Sequence, residues 1–295
     1  MKTINITASR HAVFYSPLIA LVSEGFLENE GLQSEYHIPN PGINVYEKIS
    51  NGEIDFAQSA VSQSWNFIEK NIPSSIKHFA LINSYDGFFI NSKNPGEFNW
   101  EELYKYPFYF VRGGQPEAML KYALDKKNID IRKINLITKD PLDTHEMYNR
   151  FSIESSGFFH EQGSYPHQLE LEGHGKIVAS IGEIIGPVAF STLCADEKLI
   201  NSDLGKKISN AFKKSKKWVQ NSEPMVVAKS VHSFFKDFDI NSISNAISDY
   251  QNLGTWNSGI KIGDIEYKKA LEVFKFSNLI SKNHSKNDVV LYSGE

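Results

Sequence analysis

Polar and apolar residues alternate in Lys2-Thr3-Ile4-Asn5-Ile6-Thr7, a period of two that predicts a strand at the start of the chain. A connecting segment, Arg10-His11-Ala12-Val13-Phe14-Tyr15-Ser16-Pro17, leads to helical spacing over residues 18–24, stopped by Gly25. Residues 32–37 read as a second strand, 45–50 as a helix stopped by Gly52, and 54–57 as a short buried strand. Residues 59–70 then read as a helix with Val61, Trp65 and Ile68 on one face. Strands alternating with helices at such short intervals predict a mainly parallel sheet covered on both sides.

The pattern restarts at residues 78–91, a strand-like stretch interrupted by Asp86-Gly87. A short helix (100–103), a strand (106–112), a tight loop at Gly113-Gly114-Gln115 and a helix over 116–127 follow, with Pro116 in the first helical position. Residues 134–138 and 176–181 read as strands, 140–151 and 168–171 as helical, with a corner at Gly157-Phe158-Phe159. Residues 188–195 form a strand expected to return to the first unit, and helices are expected over 204–221, 223–231, 240–252 and 265–274. Val289-Val290-Leu291-Tyr292 offers a last small strand after the polar stretch 282–286. The fold class is therefore α/β, two-lobed, with a helical C-terminal region. The chain is expected to cross between lobes near 85–88 and 182–189, so that residues 1–85 with 189–295 form lobe 1 and 86–188 form lobe 2. Each crossing carries glycine, which tolerates the torsion changes of a hinge.

Composition narrows the function. The 295 residues carry a net charge of −4, and no basic footprint points to nucleic acid. Lys206-Lys207, Lys213-Lys214 and Lys216-Lys217 sit beside Ile208, Phe212 and Trp218, as on the solvated face of an amphipathic helix. Cys194 is the only cysteine and lies in an apolar run, which suits a buried small hydrophobe and leaves no intrachain disulfide. No apolar run approaches the ~20 residues of a membrane span. Met1-Lys2-Thr3 passes at once into a strand without a signal core, so the sequence reads as cytoplasmic if complete, and periplasmic or extracellular if a leader was removed.

Four stretches together resemble the type II periplasmic binding fold, in the branch of ABC-transporter solute-binding proteins for sulfonates, nitrate and thiamine-pyrimidine precursors. They are Pro17-Leu18-Ile19-Ala20 running on through Glu24-Gly25-Phe26-Leu27 to Gly31-Leu32; Ile49-Ser50-Asn51-Gly52-Glu53-Ile54-Asp55-Phe56-Ala57; Val111-Arg112-Gly113-Gly114 before Pro116; and Phe190-Ser191-Thr192-Leu193-Cys194-Ala195 before the helix of 204–218. The branch includes a fungal thiamine-pyrimidine synthase that binds pyridoxal phosphate through a lysine and donates one of its own histidines. Ser59 and Gln63 stand where that resemblance would place the lysine and the histidine, and Gly186-Pro187-Val188-Ala189-Phe190-Ser191 lacks its cysteines. These departures argue against the self-consuming chemistry, and no cofactor is expected.

In this fold the ligand sits among loops at the carboxyl ends of strands and helix N-termini. The first loop offers His11, Phe14 and Tyr15, with core packing as the alternative for a ring and simple solvation for His11. Ser59, Ser62 and Gln63 are read as opening the Trp65 helix, either as plain caps or as ligand donors. Arg112, Gly113, Gly114 and Gln115 place free N–H groups and a guanidinium at a helix start, suited to an anion, although Glu117 in the first helical turn partly competes with any bound anion. An ordinary tight turn is the alternative. Phe158 and Phe159 could stack on a planar ligand or pack in the core, and Glu183 could accept from an amine or brace the hinge. His160, His167 and His174 recur every seven residues, but Pro166 and Gly173 break any helix that would align them, so no metal is expected.

Two functions follow. The first is a solute-binding protein closing on a planar aromatic or anionic small organic molecule, with an ABC permease as partner or in a sensing role. The second is a cytoplasmic enzyme on the same fold, a lyase or biosynthetic enzyme with His11 and Glu183 as general acid and base.

Overall fold

A computed structural model describes residues 3–94, 96–138 and 144–292. In chain order the first elements are β1 (Thr3–Ala8), α1 (Ser16–Ser23), β2 (Gln33–Tyr36), α2 (Val45–Ser50), β3 (Phe56–Ser59), α3 (Val61–Glu69) and β4 (Ile76–Asn83). Next come β5 (Phe88–Ser92), β6 (Phe108–Phe110), α4 (Gly114–Lys126), β7 (Leu136–Ile137), α5 (Thr144–Ile153), β8 (Phe158–Gln162), α6 (Tyr165–Leu171), β9 (Lys176–Ser180) and α7 (Ile181–Ile185). The last third is β10 (Ser191–Asp196), α8 (Glu197–Ile200), α9 (Asp203–Asn221), α10 (Pro224–Val231), α11 (Ile240–Asn252), α12 (Asp264–Phe276) and α13 (Lys286–Val289).

The strands form two five-stranded sheets, ordered β2-β1-β3-β10-β4 and β7-β6-β8-β5-β9. This is the two-lobed α/β architecture expected from the alternating pattern. Neither sheet is wholly parallel. β10 runs antiparallel to both β3 and β4, and β5 runs antiparallel to both β8 and β9. In each sheet the exception is the strand that enters directly after the chain leaves the other sheet. The expected strand at 289–292 is reduced to a single bridge between Val290 and His78. Of the helix expected over 140–151, residues 140–143 lie outside the described residues.

α9 follows the amphipathic pattern except at one lysine. Ile208, Phe212 and Val219 are buried, and Lys206, Lys213 and Lys217 are exposed, as an amphipathic helix requires. Lys216 departs from the expected solvated face: it is buried and donates to the Leu81 and Gly259 carbonyls at 2.9 and 3.1 Å. Burial pulls its pKa down to about 7.

At Gly87 and Gly182 the crossings need glycine for space, whereas Gly186 in the second crossing takes a positive φ of 79° and has open space around it. Neither Gly87 nor Gly182 has a positive φ. A Cβ on Gly87 would meet the Phe14 ring at 2.4 Å, and one on Gly182 would meet the Asp86 carbonyl oxygen at 2.4 Å. The two crossings are thus packed on each other and on the first loop.

Candidate functional site

The register that pairs Ala8 with Gln58 puts the ends of β1 and β3 side by side. Ser9 continues the contact, donating from its backbone N–H to the Gln58 carbonyl at 3.0 Å and from its hydroxyl to Gln58 Oε1 at 2.8 Å. From the other sheet, Phe88 and Gln162 sit directly opposite each other at the start of β5 and the end of β8. Between these edges lies a cavity of about 400 Å³, in the size range of small-molecule sites. Ser9, Arg10, Tyr15, Gln58 and Ser59 line it from one sheet, with Ser62, Gln63 and Asn66 from α3. Phe88, Gln162 and the Gly114-Gln115-Pro116 start of α4 face them. Phe190 and Phe274 complete the apolar wall.

Contacts across the cleft hold the halves together. Ser62 Oγ donates to Gln115 Oε1 at 3.4 Å, and Gln115 Nε2 donates to the Phe190 carbonyl at 2.7 Å. Arg10 Nη2 donates to Glu161 Oε2 at 2.6 Å and to Thr144 Oγ1 at 3.2 Å. Beside the cavity, Gly163 N–H donates to the Tyr250 hydroxyl at 2.8 Å, and that hydroxyl donates to the Gly87 carbonyl at 2.8 Å. His167 Nε2 lies 2.8 Å from Asp249 Oδ2, tying α6 to α11.

Arg10 is the one Lys, Arg, His, Asp or Glu among the described lining residues. Its charge is balanced at once by Glu161, whose side chain is fully buried. Arg10 also lies 5.5 Å from the Phe88 ring centroid, and Phe88 stacks on His160 at 4.6 Å. Burial, helped by the Arg10 charge, holds the His160 ring neutral with a pKa lowered to about 3. The Tyr15 hydroxyl is pushed up to about 12, chiefly by burial, and stays protonated. Among the described residues, the cavity wall therefore presents rings, hydroxyls and carboxamides with no net charge.

The residues singled out from sequence divide into two groups. Tyr15, Ser59, Ser62, Gln63, Gly114 and Gln115 meet at the cavity. Ser59 gets there as the last residue of β3, not as a helix start, because α3 begins at Val61. Likewise α4 begins at Gly114, so Pro116 is its third residue. Arg112 and Gly113 are exposed and do not line the cavity. The N–H of Gly113 donates to Glu117 Oε2 at 2.5 Å, so the helix's own carboxylate takes the place an anion was expected to take.

His11 is turned away from the cavity. It stacks on Phe235 at 4.3 Å, and its ring nitrogens lie 3.0 Å from the Tyr36 hydroxyl and 2.8 Å from the Phe234 carbonyl. Phe14 is fully buried against Tyr250 and Phe190, at 4.7 and 5.4 Å. Phe158 and Phe159 are core residues on opposite faces of β8, because a strand inside a covered sheet buries both faces. Glu183 is exposed at the start of α7. The acid and base required by the enzyme reading, His11 and Glu183, are thus both absent from the described cavity wall. Of the three spaced histidines, His160 lies under Phe88, His167 pairs with Asp249 and His174 is exposed near Glu172. No group of three or more His, Cys, Asp or Glu side chains among the described residues is placed to hold a metal ion. Cys194 is buried in β10 with its thiol pushed up to about 12 by burial.

Sequence reasoning missed Arg10, Gln58, Phe88, Gln162 and Phe190. Arg10 opens the loop already singled out, and Gln162 follows His160 by the strand period of two, so both lay within reach of pattern alone.

No family model matches the sequence. The chain is 26% identical over 298 residues to YtlA of Bacillus subtilis (strain 168), provisionally described as a binding protein, covering 98% of this chain and 88% of that one. Among solved structures it is similar to the ligand-binding component of an ABC-type import system from Staphylococcus aureus, with a TM-score of 0.78, 16% identity and coverage of 99% and 97% of the two chains. It is also similar to the alkanesulfonate-binding protein SsuA of Xanthomonas axonopodis pv. citri, with a TM-score of 0.75, 12% identity and coverage of 99% and 98%. The nitrate-binding protein NrtA of Synechocystis PCC 6803 gives a TM-score of 0.67, 13% identity and coverage of 90% and 74%.

Proposed function

We propose that this chain, which has the two-lobed type II periplasmic-binding-protein fold, is a solute-binding protein that encloses one small, neutral, planar molecule for an ABC-type importer. Its lobes are taken as residues 1–85 with 189–295 and residues 86–188, closing by rotation about the two crossings. One observation carries the reading. The cavity between the sheets is lined by rings and carboxamides, and its single guanidinium is already neutralised by Glu161 at 2.6 Å. A free nitrate or sulfonate would have to displace a buried carboxylate to reach Arg10, whereas an uncharged heterocycle would not. Carboxamides both donate and accept, which suits the edge of an aminopyrimidine, and a thiamine-pyrimidine-type precursor is the ligand class that fits best.

Titration calorimetry with 4-amino-5-hydroxymethyl-2-methylpyrimidine, MOPS and nitrate tests this. The expected result is one pyrimidine per chain at micromolar or tighter affinity and no measurable binding of either anion. Tight anion binding with no pyrimidine binding contradicts the reading. Glu161→Gln should reverse the preference, because it leaves the Arg10 charge unpaired in the cavity. MOPS binding should become measurable, with an affinity at least about tenfold above the detection limit that bounds the wild type, the equivalent of ~1.4 kcal/mol; no detectable anion binding in this variant would show that Glu161 does not set the charge preference.

A further inference from the structure

Gln162 stands out among the carboxamides of the cavity wall because it is buried, whereas Gln63 and Asn66 are partly exposed and can be satisfied by solvent. Gln58 is committed to Ser9 and the Ser59 carbonyl, and Gln115 to Ser62 and the Phe190 carbonyl. The Asn44 side-chain oxygen accepts from the Glu47 N–H at the start of α2. Gln162 is 2% exposed and lines the cavity, yet neither its Nε2 nor its Oε1 makes a hydrogen bond of sound geometry with any described residue. The Tyr15 hydroxyl is a weak hydrogen-bonding neighbour of this amide, but the contact falls short of sound geometry. Leaving a buried carboxamide unpaired costs roughly 1–3 kcal/mol per group, so a fold gains nothing by keeping one there.

Its backbone, by contrast, is fixed. The Gln162 N–H donates to Glu161 Oε1 at 2.7 Å, and the residue pairs with Phe88 across the β5–β8 ladder. The residue is thus held by a rigid strand end, next to the neutralised Arg10–Glu161 pair and in the wall of the cleft.

We propose that Gln162 is the specificity-determining residue of the cleft, reading a ligand edge that carries a hydrogen-bond donor next to an acceptor, as in an aminopyrimidine or a cyclic amide. Such an edge satisfies both atoms of a carboxamide in one two-point contact, the geometry by which glutamine reads adenine. The inference rests on the neutral-ligand reading above and deepens it from a class of molecule to a pattern of atoms.

Gln162→Leu separates this role from a structural one. The probes are 4-amino-5-hydroxymethyl-2-methylpyrimidine and its counterpart lacking the amino group, each titrated into the wild-type and variant chains. The wild type should prefer the amino compound, and Gln162→Leu should weaken its binding by about 10- to 100-fold while leaving the other compound unaffected. The ligand-free variant should unfold at the same temperature as the wild type or higher, because an unpaired polar group has been replaced by an apolar one of similar size. Equal binding of the amino compound by wild type and variant overturns the role of Gln162 alone. A lower unfolding temperature in the ligand-free variant also overturns it, since it marks an amide that serves the fold. Failure of the wild type to bind either pyrimidine overturns the ligand reading, and this inference with it.

Discussion

Asp86 illustrates what a single residue contributes at the crossing. Its Oδ1 accepts from the Phe88 N–H at 2.7 Å, while Oδ2 has no partner among the described residues. Burial raises its pKa to about 8, against about 4 for an ordinary carboxyl. Between these values the folded chain holds a proton that the unfolded chain has released. The associated stability is complete below about pH 4 and is lost as pH rises through about 8. Asp86→Asn cannot ionise, so its advantage over the wild type should be smallest near pH 4 and grow by on the order of 1 kcal/mol per pH unit up to about pH 8. Urea unfolding of both proteins across that range measures it; a difference that does not change with pH would contradict a buried, protonated Asp86. None of this was legible in sequence, where Asp86-Gly87 reads only as a break between strands. Burial is a tertiary property, and the same limit explains why His11 and Phe158 looked like cleft residues. Each is the right chemical type in the right segment, turned the other way by its neighbours.

Elements were more legible than side chains. Periods of two and of 3.6 located β1, α9 and α12, because each of these buries mainly one face or stripe and leaves a regular trace; β3, buried at every position, shows only as a short apolar run. Boundaries suffered where a strand hands over to a helix without a polar cap. Ala60 precedes α3 with no side-chain cap, so nothing in the sequence separates Ser59 in the strand from Ser62 in the helix. At Gly87 and Gly182, two glycines of the expected crossings, the structure calls for space and not for torsion. Gly182 is required by its contacts, with Asp86 backbone and the Leu253 side chain 2.4 and 2.8 Å from where a Cβ would lie. Gly182→Ala should therefore cost about 1–3 kcal/mol, as overpacking does elsewhere, and lower the melting temperature measured by circular dichroism. An unchanged melting temperature would mean that the two crossings are not packed as tightly as these distances require.

At the scale of the whole molecule, the two-lobed plan was carried by order along the chain: two α/β units, then helices. What order could not convey is how the last helices join the halves. α11 reaches α6 through His167 and Asp249, and α12 reaches α4 through Ser277 and the Ala118 carbonyl at 3.4 Å. The cavity itself combines the ends of strands distant in sequence, which is why about half of its key residues escaped a linear reading. The resulting picture is a cleft whose described wall has balanced charge and holds one buried, uncommitted amide. Native mass spectrometry of the freshly purified chain tests that picture most directly, with the released molecule identified after denaturation. The account predicts one neutral, planar heterocycle per chain. A retained sulfonate or nitrate would contradict it, as would a bare chain that no pyrimidine protects against thermal unfolding.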